Sequence, residues 1–291
     1  MDRTKYLGGS DIAAAMGLSR WTTPLQLWAE KTGEVEPADL SGVEAVQLGS
    51  ELEDFVAKKF QKETGMKVRR APKRYIHDKY PHFACQVDRL IEGTDELLEC
   101  KTCSAWKAKE WEGEDIPIEY ILQVMWQLII TGRKVGWIAV LIGGQSFKYK
   151  KIGFDSALAD DMIKKAVAFW KMVEEHVHPM AVGADNETIF KIYPENDDQI
   201  QQVQEFEHQI ALFQETKMHI SEMEKEKDKL SAEIKQRIGD NLGLQTAKYV
   251  VKWSPQSRSL IDFDRLKADG LYDKYKKESK SRVLRVSKTK E

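Results

Sequence analysis

Apolar residues recur along the first two-thirds of this chain at two different periods. At helical spacing they mark short segments over residues 10–16 and 24–31. A longer segment covers residues 49–64, where Leu52, Phe55, Val56 and Phe60 lie three or four apart and Gly65 stops the run. Residues 118–131 (IEYILQVMWQLIIT) predict a further helix closed by Gly132, and residues 160–178 an amphipathic one ending before Pro179. At strand spacing, residues 83–91 (FACQVDRLI) and 96–101 (ELLECK) flank Gly93-Thr94-Asp95 and predict a hairpin. Residues 135–142 (VGWIAVLI) are almost continuously apolar, the pattern of a strand buried on both faces, with residues 147–152 as its predicted partner.

The character changes after residue 195, so the chain divides into an α/β domain over residues 1–195 and an extension over residues 196–291. Residues 197–240 are polar, with Ile200, Val203, Phe206, Ile210 and Phe213, then Ile220, Leu230, Ile234 and Ile238 at roughly helical spacing. Lys217, Glu224 and Lys227 interrupt that seam. The pattern predicts one long or hinged helix, half of a coiled-coil arm. Residues 245–261 alternate as a hairpin turned through residues 254–257, and the last twenty-one residues hold eight basic and three acidic side chains.

With 291 residues there is material for one large domain or two ordinary ones. No apolar run is long enough to span a bilayer, and the N-terminus lacks the apolar stretch of a signal peptide. Three cysteines make no disulfide framework, so a reducing cytosol is the expected setting. A four-cysteine cluster or zinc site cannot form from them, and buried thiols are the better account. The 45 basic and 47 acidic residues exclude a protein that coats nucleic acid by bulk positive charge. Local binding is still open, because residues 67–74 concentrate five basic residues.

The chemistry concentrates around Asp88, Glu99 and Lys101. Alternate residues of a strand share a face, so Glu99 and Lys101 project together and a hairpin can bring Asp88 opposite them. Two carboxylates and an ammonium make a hard-oxygen site better suited to magnesium than to zinc. The spacing alone also fits an exposed hairpin with a cross-strand salt bridge. Apolar neighbours (Val87, Leu90, Leu97, Leu98) favour the site, since charges among them are costly unless paired or ligating.

At these residues the chain resembles the phage-type exonucleases of the YqaJ and lambda-exonuclease group, within the PD-(D/E)xK nucleases. The resemblance begins with LGGSDIAAAMGLSRWTTP (residues 7–24) and continues through LGSELE (48–53) and ETG (63–65). It then takes in Asp88, Glu99-Cys100-Lys101 and YILQVMWQL (120–128), spanning about residues 5–155. It implies a restriction-endonuclease-like α/β core, a mixed central sheet flanked by helices, with a mostly helical C-terminal extension.

The resemblance further implies Mg2+, for which Mn2+ can substitute, on Asp88, Glu99 and the backbone carbonyl of Cys100, with Glu53 as a further ligand and Glu51 as the alternative to it. Lys101 is the implied catalytic lysine, and Gln123, with Tyr120 one turn before it, the implied water-positioning group. Arg3 and Ser10 match positions that hold the 5′-phosphate of a DNA end. Gln86 and Lys107 depart from the Ser and Arg of the lambda branch, which puts that phosphate pocket in question, since Lys107 keeps charge but loses the bidentate fork. Trp21 is a candidate stacking platform, Trp28 reads as core, and His82 as surface.

The implied activity is 5′–3′ digestion of linear double-stranded DNA, leaving 3′ tails for a single-strand annealing protein of the RecT or Red-beta type. The implied assembly is a toroidal homotrimer in a bacterial host cytosol, phage or prophage encoded, with no membrane partner. A structure- or site-specific endonuclease on the same core, and a non-catalytic DNA-binding recombination scaffold, are the alternatives.

Overall fold

A computed structural model describes residues 3–71, 74–203, 205–279 and 281–287. Lys73 of the basic run, and the last four residues of the basic tail, lie outside the described residues. The chain forms two compact units, Met1–Tyr193 and Pro194–Glu291, two residues short of the boundary expected from sequence.

In the first unit the apolar periods resolve into helices α1 (Ile12–Ala15), α2 (Pro24–Thr32), α3 (Glu44–Thr64), α4 (Ile118–Thr131), α5 (Ser156–Glu174) and α6 (Asn186–Ile192). Strands β1 (Val68–Arg70), β2 (Tyr75–Ile76), β3 (Ala84–Cys85), β4 (Arg89–Ile91), β5 (Glu96–Cys103), β6 (Val135–Ile142) and β7 (Ser146–Gly153) lie between them. Helix α2 starts where Thr23 accepts the Gln26 amide, with Pro24 at its first position, and stops at Gly33 with φ of 82°. Helix α5 starts four residues earlier than its apolar pattern suggests, because the Asp155 carboxylate caps the Ala157 and Leu158 amides.

Five strands make a mixed sheet in the order β1-β4-β5-β6-β7. β4 and β5 form the predicted hairpin, with Arg89 opposite Leu98, and β6 pairs antiparallel with β7. Between β5 and β6 the pairing is parallel, Glu99 opposite Ile138, so the chain must cross over between them, and α4 is that crossover. Side-chain alternation then sorts the two faces. Leu97, Ile138 and Val140 join the larger core under α1, α2, α4 and α5, while Leu98, Ala139 and Leu141 pack with Val56 and Phe60 of α3.

The predicted strand over residues 83–91 is broken. β3 pairs with β2 outside the main sheet, and Gln86–Asp88 leave the ladder before β4 begins. Buried Trp126 and Gln127 of α4 hold this break by donating to the Ala84 and Gln86 carbonyls at 3.2 and 2.9 Å. No local pattern signals it, because Phe83, Ala84, Val87, Leu90 and Ile91 keep both sides of the break strand-like.

In the second unit, α7 (Glu207–Ile238) is one unbroken helix without a hinge, and it starts later than expected: residues 197–203, with Ile200 and Val203, are not helical. The hairpin is β8 (Gly243–Gln245) with β9 (Val250–Lys252). Its turn covers residues 246–249, not 254–257; Thr246 closes it by accepting from the Lys248 and Tyr249 amides. Residues 254–262 form no strand, as the proline there cannot donate to a ladder. Two short helices, α8 (Phe263–Ala268) and α9 (Tyr272–Tyr275), follow. Among the described residues, no helix is long and apolar enough to cross a membrane.

Gly136 of β6 sets how closely α4 approaches the sheet. A Cβ there would collide with Val124 of α4 and lie 3.1 Å from Leu97. Gly136→Ala should therefore lower the stability of the first unit by about 1–3 kcal/mol, as overpacking does in tight cores. Urea unfolding should show a reduced midpoint at unchanged m-value.

Candidate active site

Strand alternation puts Glu99 on the same face as Leu97, under α4, where it is only 3% exposed. A carboxylate so buried needs donors for both oxygens. Lys101 Nζ and Gln123 Nε2 each donate to its Oε1 at 2.6 Å, and Gln127 Nε2 donates to its Oε2 at 2.6 Å. Gln123 and Gln127 stand one turn apart on α4 and so reach the same group. Gln127 was absent from the sequence-predicted site. The available signal was an amide four residues after Gln123, on a helix face otherwise made of large apolar residues.

Asp88 comes from the break before β4, where the chain is free of ladder geometry and can turn its side chain across β5. Its Oδ2 accepts the Cys100 amide at 2.8 Å. Glu53 approaches from α3, on the sheet face opposite Glu99, and its Oε1 is held by Arg89 Nη1 at 2.5 Å. Arg89, 4% exposed, also pairs with Asp54. Glu53 and Asp88 line one depression with Arg70, Arg74 and Gln86, while Glu51 is exposed. Among the described residues, no three His, Cys, Asp or Glu side chains converge closely enough to hold a metal by themselves.

Desolvation by the surrounding protein, then the Glu99 charge, push the Asp88 carboxyl up to about 8. Desolvation works against the Lys101 ammonium, but Glu99 and Asp88 outweigh it and raise Lys101 above its ordinary value. Two neighbouring carboxylates with one ammonium, which is bonded to Glu99, leave an excess of negative charge that a small hard cation would offset. Magnesium needs only one or two carboxylates beside water and backbone oxygens, so this donor set fits it. The thiols do not compete: Cys85 is buried and pushed up to about 12 by that burial, and all three cysteines are free.

The N-terminal GGSD turn borders a second concavity, which shares Arg74, Gln86 and Asp88 with the depression at Glu53. Gly8 N–H donates to Asp11 Oδ2 at 3.0 Å, and Lys31 Nζ pairs with that oxygen at 2.8 Å, fixing the turn. Arg3 then donates to Ser10 Oγ at 2.9 Å. Arg3, Tyr6, Ser10, Arg74, Gln86, Asp88, Glu99 and Gln123 line one concavity of about 230 Å3, with the Arg74 guanidinium 3.4 Å above the Tyr6 ring centre.

On the other side of Lys101, its ammonium lies 5.4 Å from the Tyr120 ring centre. Tyr120 is 6.1 Å from Trp21, and Lys107 sits 5.4 Å above Trp21. Arg20 clamps this wall through Glu119 at 2.6 Å, leaving Trp21 53% exposed. Trp28 is core, its indole donating to the Met172 carbonyl, and His82 stacks on Trp170.

The raised Asp88 carboxyl predicts a pH-dependent stability. Unfolded, this group ionises near its ordinary 3.8; folded and metal-free, it holds its proton up to about 8. Between those values the folded state binds more protons, so stability is greatest at the acid end and falls as pH rises. Asp88→Asn should remove that fall and stabilise the metal-free protein at pH 8 by about 1–3 kcal/mol. Thermal melts in chelator across this range check it.

The chain matches the family described as YqaJ-like viral recombinase domain over residues 1–134, which include every residue of this site. It is 36% identical to the uncharacterized protein YqaJ of Bacillus subtilis (strain 168) over 298 residues, covering 96% of this chain and 90% of that one. Its fold is similar to the crystal structure of an alkaline exonuclease (LHK-Exo) from Laribacter hongkongensis, with a TM-score of 0.52 at 21% identity, over 60% of this chain and 91% of that one. The complex of LHK-Exo with dAMP aligns equally well, with a TM-score of 0.52 at 22% identity. The family match over residues 1–134, and a relative 36% identical over nearly the whole length, make this chain a member of the YqaJ-like viral recombinase family.

Proposed function

We propose that this protein is a Mg2+-dependent deoxyribonuclease that digests linear double-stranded DNA from 5′ ends and leaves 3′ single-stranded tails. The observation that carries this reading is the meeting of Asp88, Glu99 and Gln123 in the concavity that also holds Arg3 and Ser10, with Lys101 bonded to Glu99 beside it. Carboxylates suited to a hard cation thus lie beside cationic and hydroxyl groups suited to a phosphate. Asp88, Glu99 and the Cys100 carbonyl would hold Mg2+, with Glu53 reaching it through water. When bound, the cation supplies charge neutralisation on the phosphoryl group and a more acidic water.

The chain's own residues supply the rest. Gln123 and Gln127 fix both oxygens of Glu99, so it meets the cation in one orientation. Lys101, kept protonated by Glu99, donates toward the attacking water and the charge that develops on phosphorus-bound oxygen. Arg3 and Ser10 hold the terminal 5′-phosphate, and Trp21 and Tyr120 offer faces to the terminal bases, with Lys107 beside them on the strand. Cytosolic recombination by single-strand annealing would use the 3′ tails. The second unit would then dock the RecT-type or Red-beta-type annealing protein, and three cores would close around the duplex.

Linear duplex labelled at either end, with and without Mg2+, tests polarity and metal dependence together. Mg2+-dependent release of 5′-terminal nucleotides is expected, and Lys101→Ala and Asp88→Ala should each lose about 100-fold or more of it. Cleavage of closed circular plasmid without a prior nick, or full activity in both variants, would sink the proposal. A chain ending at Tyr193 should keep cutting while losing pulldown of the annealing protein.

A further inference from the structure

Helix α7 carries an apolar surface that the proposed nuclease chemistry does not use. Phe213, Thr216, Ile220, Met223, Lys227 and Leu230 follow alternating steps of three and four residues, the seam of a two-stranded coiled coil. The four apolar members are 39–69% exposed. Isolated helices with so little burial are marginal in water, so the face needs a cover.

We propose that α7 pairs antiparallel with α7 of a second copy of this chain, in the register that sets Ile220 against Met223 of the copy. The charge pattern selects this occupant and this register. Phe213 then meets Leu230 and Thr216 meets Lys227. On one flank Lys217 faces Glu224, and on the other His219 faces Glu226. The two-fold axis doubles each pair. Sliding the copy one heptad one way sets Glu224 and Glu226 against themselves; sliding it the other way sets Lys217 against itself. A parallel pair buries Lys227 against Lys227 in the seam. All of these alternatives place like charges together, at a cost similar to the gain of the favoured pairs.

The same register brings Phe206 and Ile210 of the copy, 59% and 45% exposed, alongside residues 231–238. There Ile234, Ile238, Val251 and Trp253 already form an apolar groove between α7 and the hairpin. The pairing thus covers both the middle of the helix and its C-terminal groove.

Sedimentation of the full-length protein should show a concentration-dependent step that doubles the mass of whatever assembly the core forms. Lys217→Glu and Glu224→Lys each convert two attractive pairs into two repulsive ones, and each should weaken that step about tenfold. Both positions are exposed, so far-UV circular dichroism should stay unchanged. Mixing the K217E chain with the E224K chain restores an opposite charge at both positions, and association between the two should return to wild-type strength. Mass that stays at the undoubled value up to about 100 μM overturns the proposal, since mass action favours the dimer as concentration rises. So does a doubling step that neither exchange alters, or a mixture that fails to recover.

Discussion

Much of the first unit is arranged around one buried carboxylate. Glu99 sits in the middle of the sheet, and burial there is tolerable only because Lys101, Gln123 and Gln127 donate to it at 2.6 Å each. Meeting that demand fixes the register of β5, the rotation of α4 and its close approach over Gly136. The same approach lets Gln127 and Trp126 hold the break from which Asp88 emerges. The core and the site therefore share their supports.

The sheet also acts as a partition. Even-and-odd alternation along β5 sends Glu99 and Lys101 toward α4 and Cys100 toward α3, so the acidic groups of α3 meet Arg89 rather than Glu99. Asp88 alone lies at the sheet margin, where it reaches the β5 backbone and both depressions. The electrostatic burden falls on it for that reason: it feels Glu99 from one side and Glu53 from the other. A cation at that point would offset the desolvation, and then the repulsion, that hold its proton.

The near balance of 45 basic and 47 acidic residues conceals this local sorting. Acidic groups gather where a cation would neutralise them, while Arg3, Arg74, Lys101 and Lys107 lie along the walls. Net charge speaks to bulk attraction and solubility, not to what a concave site binds.

Residue order alone determined helices α1 to α5 and most of α7, the β4–β5 hairpin, the buried strand β6, and the grouping of Asp88, Glu99 and Lys101, because period and spacing are local properties; Gln123 entered through the family resemblance. Only the tertiary structure decided that the strand over residues 83–91 breaks, since the donors that hold the break come from a helix some forty residues away. It alone brought Gln127 into the site, separated Glu53 from Glu99 by the thickness of a sheet, and joined the N-terminal turn to the carboxylates. It also moved the last hairpin's turn to residues 246–249, where a hydroxyl could close it. Each of these outcomes depends on which buried polar group finds a partner, and partners distant in sequence become neighbours only when the chain packs.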